Sequence, residues 1–524
     1  MKKIKVKADS AFSLLQFVFN LKNTLRVVLV AILCTILFSA CSKQSDVQIT
    51  IDNQKVVSML SQGIGASIHA IEDSILVTPD RSFGGSAWGG NPGLNDTEAW
   101  EKVLWHAGWL GIDWVRLELE QRMYNPLKDL YTWDSYEMQV LYRFLDWCEE
   151  RKVDVLLQQM WSNVQWMAYP SHRTTTEGIL RSAPYDKELF AQSFATLVDY
   201  LVHTKGYTCI KWLNFINEPD EGWSWWQSES DLNKKEDLAP VFAIVRKALY
   251  EKNISVPLLG PTYSTKYDPA KFTFNDQLGG YDVHSYMAKF DWYKPEDGGG
   301  FDPVSTTLKD FKRYVDHAKS EGKPFMVSEY GTFVYGFSVG DNSSMSSRDA
   351  VLKDAELLIR SMNIGVNGFN KWSFNNRGDL DGQWQLIDTW DIENRKPLPA
   401  DQIKPHENSY IAFALLSRYL PRDSKVIETS VLGGNDGTYD RVFSTALQTP
   451  AGNYTFLIIN DDDRPYTIDI NLASPIKKDF YYYRLDDLSP QKVSIDKTIT
   501  LQPKDLVTLS TYYLTPGDDG MIKE

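Results

Sequence analysis

Lys211-Trp-Leu-Asn-Phe-Ile-Asn-Glu-Pro-Asp220 is an apolar, aromatic-rich run of strand length that ends abruptly in Asn217, Glu218, Pro219 and Asp220. Proline has no N–H to continue a ladder, so the strand must stop where the carboxylate appears. A buried strand that carries a carboxylate to its own C-terminal end is how a barrel of alternating strands and helices furnishes its working face. Pro324-Phe-Met-Val-Ser-Glu-Tyr-Gly331 repeats the pattern and delivers Glu329 after an equally apolar run.

Working outward, the same rhythm of short apolar strand, loop and amphipathic helix occupies residues 59–403. Strands are expected at Ile64–Ile68, Trp114–Leu117, Val153–Gln158, Ile210–Asn217, Pro257–Gly260, Tyr281–His284, Phe325–Glu329 and Gly368–Trp372. Helices are expected at Thr97–Leu110, Ser135–Arg151, Lys187–Thr204, Leu232–Lys252, Pro269–Leu278, Ser305–Ser320 and Arg348–Asn363. Eight strands alternating with helices predict an α/β fold, a (β/α)8 TIM barrel. An open doubly wound sheet is the alternative, but no GxGxxG or Walker motif follows any strand to support it. After a helix at His406–Leu420, residues 404–516 turn into short strands separated by Gly, Asn, Asp and Pro turns, which predicts a C-terminal antiparallel β-sandwich. Val47–Ile51 alternates as a strand and is expected to complete that sandwich from the 41–58 tether; residues 517–524 read as a tail.

Composition narrows the function. The 524-residue chain has a formal net charge of −14, which argues against a nucleic-acid partner held by phosphate contacts. Its 7 His and 4 Cys form no metal-ligand spacing, and no cofactor motif is present. Aromatic residues make up 13%, with 17 Trp and 27 Tyr, a high content that often only fills a core but is also suited to stacking on sugar faces. Residues 1–40 read as a lipoprotein signal. Lys2, Lys3, Lys5, Lys7, Lys22 and Arg26 precede the apolar run Val27–Phe38, and Phe38-Ser39-Ala40-Cys41 resembles a lipobox with Cys41 as the lipidation site. The run is too short to span a bilayer comfortably, so the membrane is expected to be reached through an N-terminal lipid anchor only. Exported, the protein is expected on the outer membrane, periplasmic or at the cell surface. Cys148 and Cys209 read as small buried hydrophobes rather than a disulfide.

The strand ends converge chemically. Arg116 arrives from strand two, Asn217-Glu218 from strand four, His284-x-Tyr286 from strand six, Glu329 from strand seven and Trp372 from strand eight. A lone glutamate at a strand end is usually a solvated loop residue; two of them meeting His, Arg and Trp at one rim suit cleavage of a glycosidic bond by paired carboxylates. Trp161, Trp166, Trp223, Trp225, Trp226 and Trp292 lie in loops on the same rim; Trp161 and Trp223, with Trp372, are the candidate sugar platforms. Glu118 shares alternation with Arg116, which would let it bind sugar hydroxyls, but it reads more readily as a solvated loop carboxylate.

This constellation resembles clan A of the retaining glycoside hydrolases. The resemblance implies Glu218 as acid/base, Glu329 as nucleophile, Asn217 on the sugar 2-hydroxyl, Arg116 keeping the nucleophile ionised, and His284 and Tyr286 beside nucleophile and substrate. Gly63-Ile-Gly-Ala-Ser67 and Tyr410-Ile-Ala-Phe-Ala-Leu-Leu-Ser-Arg-Tyr-Leu-Pro421 look most like glycoside hydrolase family 30, with families 39 and 5 as near alternatives. The implied partner is a carbohydrate, a polysaccharide or oligosaccharide, alongside other glycan-utilisation proteins. A non-catalytic glycan-binding lipoprotein and a transglycosylase on the same fold are the competing readings.

Overall fold

Strands buried on both faces need apolar side chains along their whole length, and eight such runs in this chain close on themselves. The computed structural model describes residues 45–70, 89–288, 303–333, 346–375, 384–391, 393–394, 396–437 and 439–521. Cys41, the signal-like segment, and Trp292 therefore lie outside the described residues.

The barrel strands are Gly63–His69, Trp114–Glu120, Asp154–Trp161, Ile210–Asn214, Leu258–Tyr263, Leu278–Ala288, Phe325–Phe333 and Gly368–Lys371, each parallel to the next. The eighth closes on the first in the register Gly368↔Gly63 and Phe369↔Ile64. Close approach of the first strand to the second requires glycine: a Cβ on Gly65 would lie 1.9 Å from the Trp114 carbonyl oxygen. Inside the barrel, Trp114, Leu156, Leu259 and Met326 form their own apolar cluster, with Trp212 packed against it. The polar residues of the site lie further along these strands.

Helices Thr97–Trp109, Tyr136–Arg151, Lys187–Asp199, Ala239–Glu251, Pro303–Ser320 and Ser347–Ile364 connect the strands. Their ends follow local chemistry: Asp96 and Ser135 accept N-cap hydrogen bonds from Ala99 and Met138, and Gly365 ends the last helix at φ +109°. Two expected helices differ. The segment expected as Leu232–Lys252 begins as a strand, Asp231–Lys235 paired with Gln227–Ser228, and becomes helical only at Ala239. Its polar first part has no apolar stripe to bury. Pro269–Leu278 holds only the short 3-10 turns Pro269–Lys271 and Asn275–Gln277, because Leu278 already starts the sixth strand.

The C-terminal region is a nine-stranded sheet, antiparallel except for one pair. Val47–Leu60 lies within it, antiparallel to Ser424–Gly433 and parallel to Tyr466–Leu472. Phe480 and Leu501, from opposite ends of the strand series, meet in one core, so the sheet folds over as a sandwich. Asp487–Val493 is a strand that the sequence pattern did not reveal. The other face packs on helix Glu407–Ser417, almost entirely buried, and on Ser347–Ile364. There Lys353 pairs with Glu356 at 2.7 Å and with Asp461 at 2.6 Å, an interior ion-pair network between the helix and the sheet. Cys148 and Cys209 are free thiols, both buried.

Candidate active site

A buried guanidinium is tolerable only where carboxylates and hydrogen-bond acceptors surround it. Arg116, with no exposed surface, is the hub of this site. Its Nη1 donates to Glu329 Oε2 and lies 2.5 Å from Glu118 Oε1. Nη2 donates to Asn217 Oδ1 at 2.6 Å, and Nε donates to Gln158 Oε1. Burial alone would favour its neutral form, but Glu118 and Glu329 outweigh that and hold it charged.

Glu329 is held from both sides, since Tyr286 donates its hydroxyl proton to Oε1 and Arg116 donates to Oε2. His284 Nδ1 lies 2.6 Å from Glu218 Oε1 and 3.4 Å from Glu329 Oε2. Ligand-capable atoms of Glu218, His284 and Glu329 all fall within 4.8 Å of one another. That spacing suits the roughly 5–5.5 Å carboxyl separation of retaining chemistry, not the roughly 6.5–9.5 Å that leaves room for a water in inverting enzymes. The three groups could in principle bracket a metal ion. Both oxygens of Glu329 are already engaged, however, and the Arg116 cation beside them would repel a second positive charge.

The two carboxyls are electrostatically unequal. Burial pushes Glu218 up to about 8, aided by the charges of Asp220 and Glu221. Burial also raises Glu329, but His284 and Arg116 oppose the rise, and the carboxylate receives two strong donors. Burial and the neighbouring carboxylates favour the proton on Glu218, and the two donors favour the negative charge on Glu329. His284, pushed down to about 4 chiefly by burial, is neutral between them.

The backbone holds Glu218 in an unusual posture, φ +40°, which costs a non-glycine residue about 1–3 kcal/mol. A hydrogen-bond relay maintains it. Glu218 donates its N–H to the Thr262 carbonyl at 3.1 Å, and Thr262, itself at φ +55°, donates its N–H to Asp282 Oδ1 at 2.8 Å. Asp282 Oδ2 accepts the Ser328 hydroxyl at 2.5 Å, one residue before Glu329. Two residues that sequence reasoning passed over, Asp282 and Thr262, thus tie the strand-four glutamate to the strand-seven one.

Every sequence-predicted polar residue, Arg116, Asn217, Glu218, His284, Tyr286 and Glu329, falls in this cluster. Trp372 lies beside it, edge-on to His69 at 4.7 Å with the Arg116 guanidinium 5.5 Å from its ring centre. Trp161 is buried 6.4 Å from Trp223, which is 39% exposed. Trp225 and Trp226 are core residues packed on Phe190. Glu118 is not the solvated carboxylate expected: it is fully buried, between Arg116 and His69 Nδ1 at 2.7 Å. Its signal was the run Val115-Arg-Leu-Glu-Leu-Glu120, whose alternation turns Arg116 and Glu118 to one face. Gln158, His69 and Trp384, whose ring lies 5.4 Å from Tyr286, also went unread.

A closed parallel barrel whose fourth and seventh strands bring two buried glutamates together at its C-terminal mouth is the scaffold of a clan A glycoside hydrolase. The chain belongs to the cellulase family, glycosyl hydrolase family 5, whose model matches residues 77–375. Solved structures extend the likeness. They include a family 30 endoxylanase from Clostridium papyrosolvens, 13% identical with TM-score 0.57, in which 88% of this chain covers 99% of that one. A conserved exported protein from Bacteroides fragilis is 14% identical with TM-score 0.62 over the same shares. An endo-β1,6-glucanase is 15% identical with TM-score 0.56, covering 88% of this chain and 94% of its own. Shares this large run past residue 375 into the C-terminal sheet, which supports the family 30 likeness of the whole architecture while the family model itself is that of family 5. A comparison with curated proteins found no match to this sequence.

Proposed function

We propose that the protein is a retaining glycoside hydrolase that cleaves O-glycosidic bonds of a polysaccharide or oligosaccharide, with Glu218 as acid/base and Glu329 as nucleophile. The observation that carries this reading is the short carboxyl spacing combined with opposite environments, a proton-holding Glu218 and a donor-clamped Glu329.

In the first step Glu329 attacks the anomeric carbon as the glycosidic C–O bond breaks, and Glu218 gives its proton to the departing oxygen. Glu218, now a carboxylate, takes a proton from water, whose oxygen attacks the same carbon and releases Glu329; the proton ends on Glu218. Tyr286 and Arg116 hold the attacking oxygens, and Asn217, its Oδ1 fixed by Arg116, is oriented to meet the sugar 2-hydroxyl with its amide. Trp223, 39% exposed, supplies sugar-facing aromatic surface, while the buried Trp161 and Trp372 back the site. The protein works as an exported lipoprotein anchored through Cys41.

The substrate panel begins with xylans and β1,6-glucans, on which the enzymes named in two similar structures act. Glu218→Ala and Glu329→Ala should each abolish turnover of the glycan that the wild type cleaves, by at least about a thousandfold, while thermal unfolding is unchanged. Product anomers followed by NMR should form with retained configuration. Near-wild-type turnover in either variant, or inverted products, would falsify the assignment.

A further inference from the structure

Glu218 is not inside a strand; the fourth strand ends at Asn214, and the glutamate opens a turn. The chain reverses at Glu218-Pro-Asp-Glu221, where the Glu221 N–H donates to the Glu218 carbonyl at 3.0 Å. A loop turn moves unless its neighbours hold it. Asp220, two residues after Glu218, makes bonds that the mechanism above does not use. Its Oδ1 accepts the Ser264 N–H at 3.2 Å, and its Oδ2 accepts the Thr265 N–H at 2.8 Å. The single Ser264 hydroxyl proton is shared between Asp220 Oδ2, at 3.3 Å, and Glu221 Oε1. Ser264 and Thr265 directly follow the fifth strand, Leu258–Tyr263, whose Thr262 carbonyl accepts the Glu218 N–H.

An aspartate in a turn usually accepts from an N–H two residues on, shaping only its own loop. Asp220 instead reaches partners 44 and 45 residues along the chain. The turn is therefore fastened to the end of the fifth strand at two points, by the backbone of Glu218 and by the side chain of Asp220. A carboxylate that accepts from two backbone N–H groups makes charge-assisted bonds of fixed direction, a firmer tie than a neutral side chain gives. Glu218 and Thr262, both at positive φ, lie inside the stretch so fastened. Resting on the proposed role of Glu218, we infer that Asp220 is a positioning residue: it pins the turn that bears the acid/base and fixes where Glu218 delivers its proton. The negative charge of Asp220 acts in the same direction, favouring the protonated form of Glu218.

The test uses the leaving group. A sugar alkoxide needs the proton to depart, whereas dinitrophenolate departs without it, and kcat/KM reports the first step alone. Asp220→Asn keeps the shape, but its amide nitrogen cannot accept from the second backbone N–H. A misplacement of about 1 Å costs on the order of a hundredfold, so kcat/KM on an oligosaccharide should fall about tenfold to a hundredfold. On the dinitrophenyl glycoside of the same sugar it should stay within about twofold. Both are measured on the variant's own pH plateau, where Glu218 carries its proton and the lost charge plays no part. Ser264→Ala removes the shared hydroxyl, leaves both backbone bonds, and should show a smaller loss with the same selectivity. It tests the inference even where Asp220→Asn does not fold. Equal losses on the two substrates, or none, would overturn the positioning role and leave the catalytic assignment standing. Glu218→Ala, run alongside, should show the selectivity more strongly; equal losses there would overturn the acid/base assignment, and the inference with it.

Discussion

Glu118 shares one nitrogen of Arg116 with the nucleophile, and Glu118→Gln isolates what that sharing does. Two oxygens bonded to a single nitrogen stand no more than about 5 Å apart. At an effective dielectric near 20, two negative charges at that distance repel by about 3 kcal/mol, or about two pKa units. In agreement with this sign, Glu118 acts to raise the pKa of Glu329. Glutamine keeps the shape, removes the charge and leaves Glu329 with Ser67 Oγ, at 3.3 Å, as the stronger claims on Nη1, and both changes lower the nucleophile's pKa. The assay is the pH dependence of kcat/KM on an aryl glycoside. Its acid limb, where Glu329 gains a proton as pH falls, should move down by about one to two units. Its alkaline limb, where Glu218 loses its proton as pH rises through about 8, should stay in place. Plateau kcat should fall, because a less basic carboxylate is a weaker nucleophile. An acid limb that stays still or moves upward would refute the shared-guanidinium account, since a merely structural Glu118 changes amplitude and not position.

Asp282→Asn tests the relay that holds Glu218 at positive φ: asparagine cannot accept from both the Thr262 N–H and the Ser328 hydroxyl. Losing one charge-assisted bond costs about 1.5–3 kcal/mol, so kcat should drop roughly tenfold to a hundredfold with KM little changed, and an unaltered kcat would remove Asp282 from the mechanism. Gly65→Ala drives a Cβ into the Trp114 carbonyl, so a melting temperature within a degree of wild type would contradict the closure described between the first two strands; a loss of about 3 kcal/mol or more is expected.

The barrel was legible in the sequence because parallel strands must be apolar throughout and must end where a catalytic side chain begins, as Phe215-Ile-Asn-Glu-Pro219 and Met326-Val-Ser-Glu329 do. What escaped reading shares one cause: its meaning lies in pairings across the chain. Glu118 and Asp282 are carboxylates on strands, ordinary until Arg116, His69, Thr262 and Ser328 are seen around them. Asp231–Lys235 looked like the start of a helix because its hairpin partner, only Gln227–Ser228, is too short to register as a strand. Trp225 and Trp226 carried the composition of a sugar platform and the packing of a core, and composition cannot separate the two.

The strand Val47–Leu60 has a consequence for assembly. It precedes the whole barrel in the chain, yet its hydrogen-bond partners, Ser424–Gly433 and Tyr466–Leu472, come after it. During folding it must wait, with open edges, for partners from the other end of the chain, and joining it closes a loop that contains every catalytic residue. The sheet therefore acts as a clasp on the barrel: excising residues 59–403 as an independent catalytic domain removes a central strand's partners from one side and the strand itself from the other. The sheet is a folding partner of the enzyme, made of both ends of the described chain.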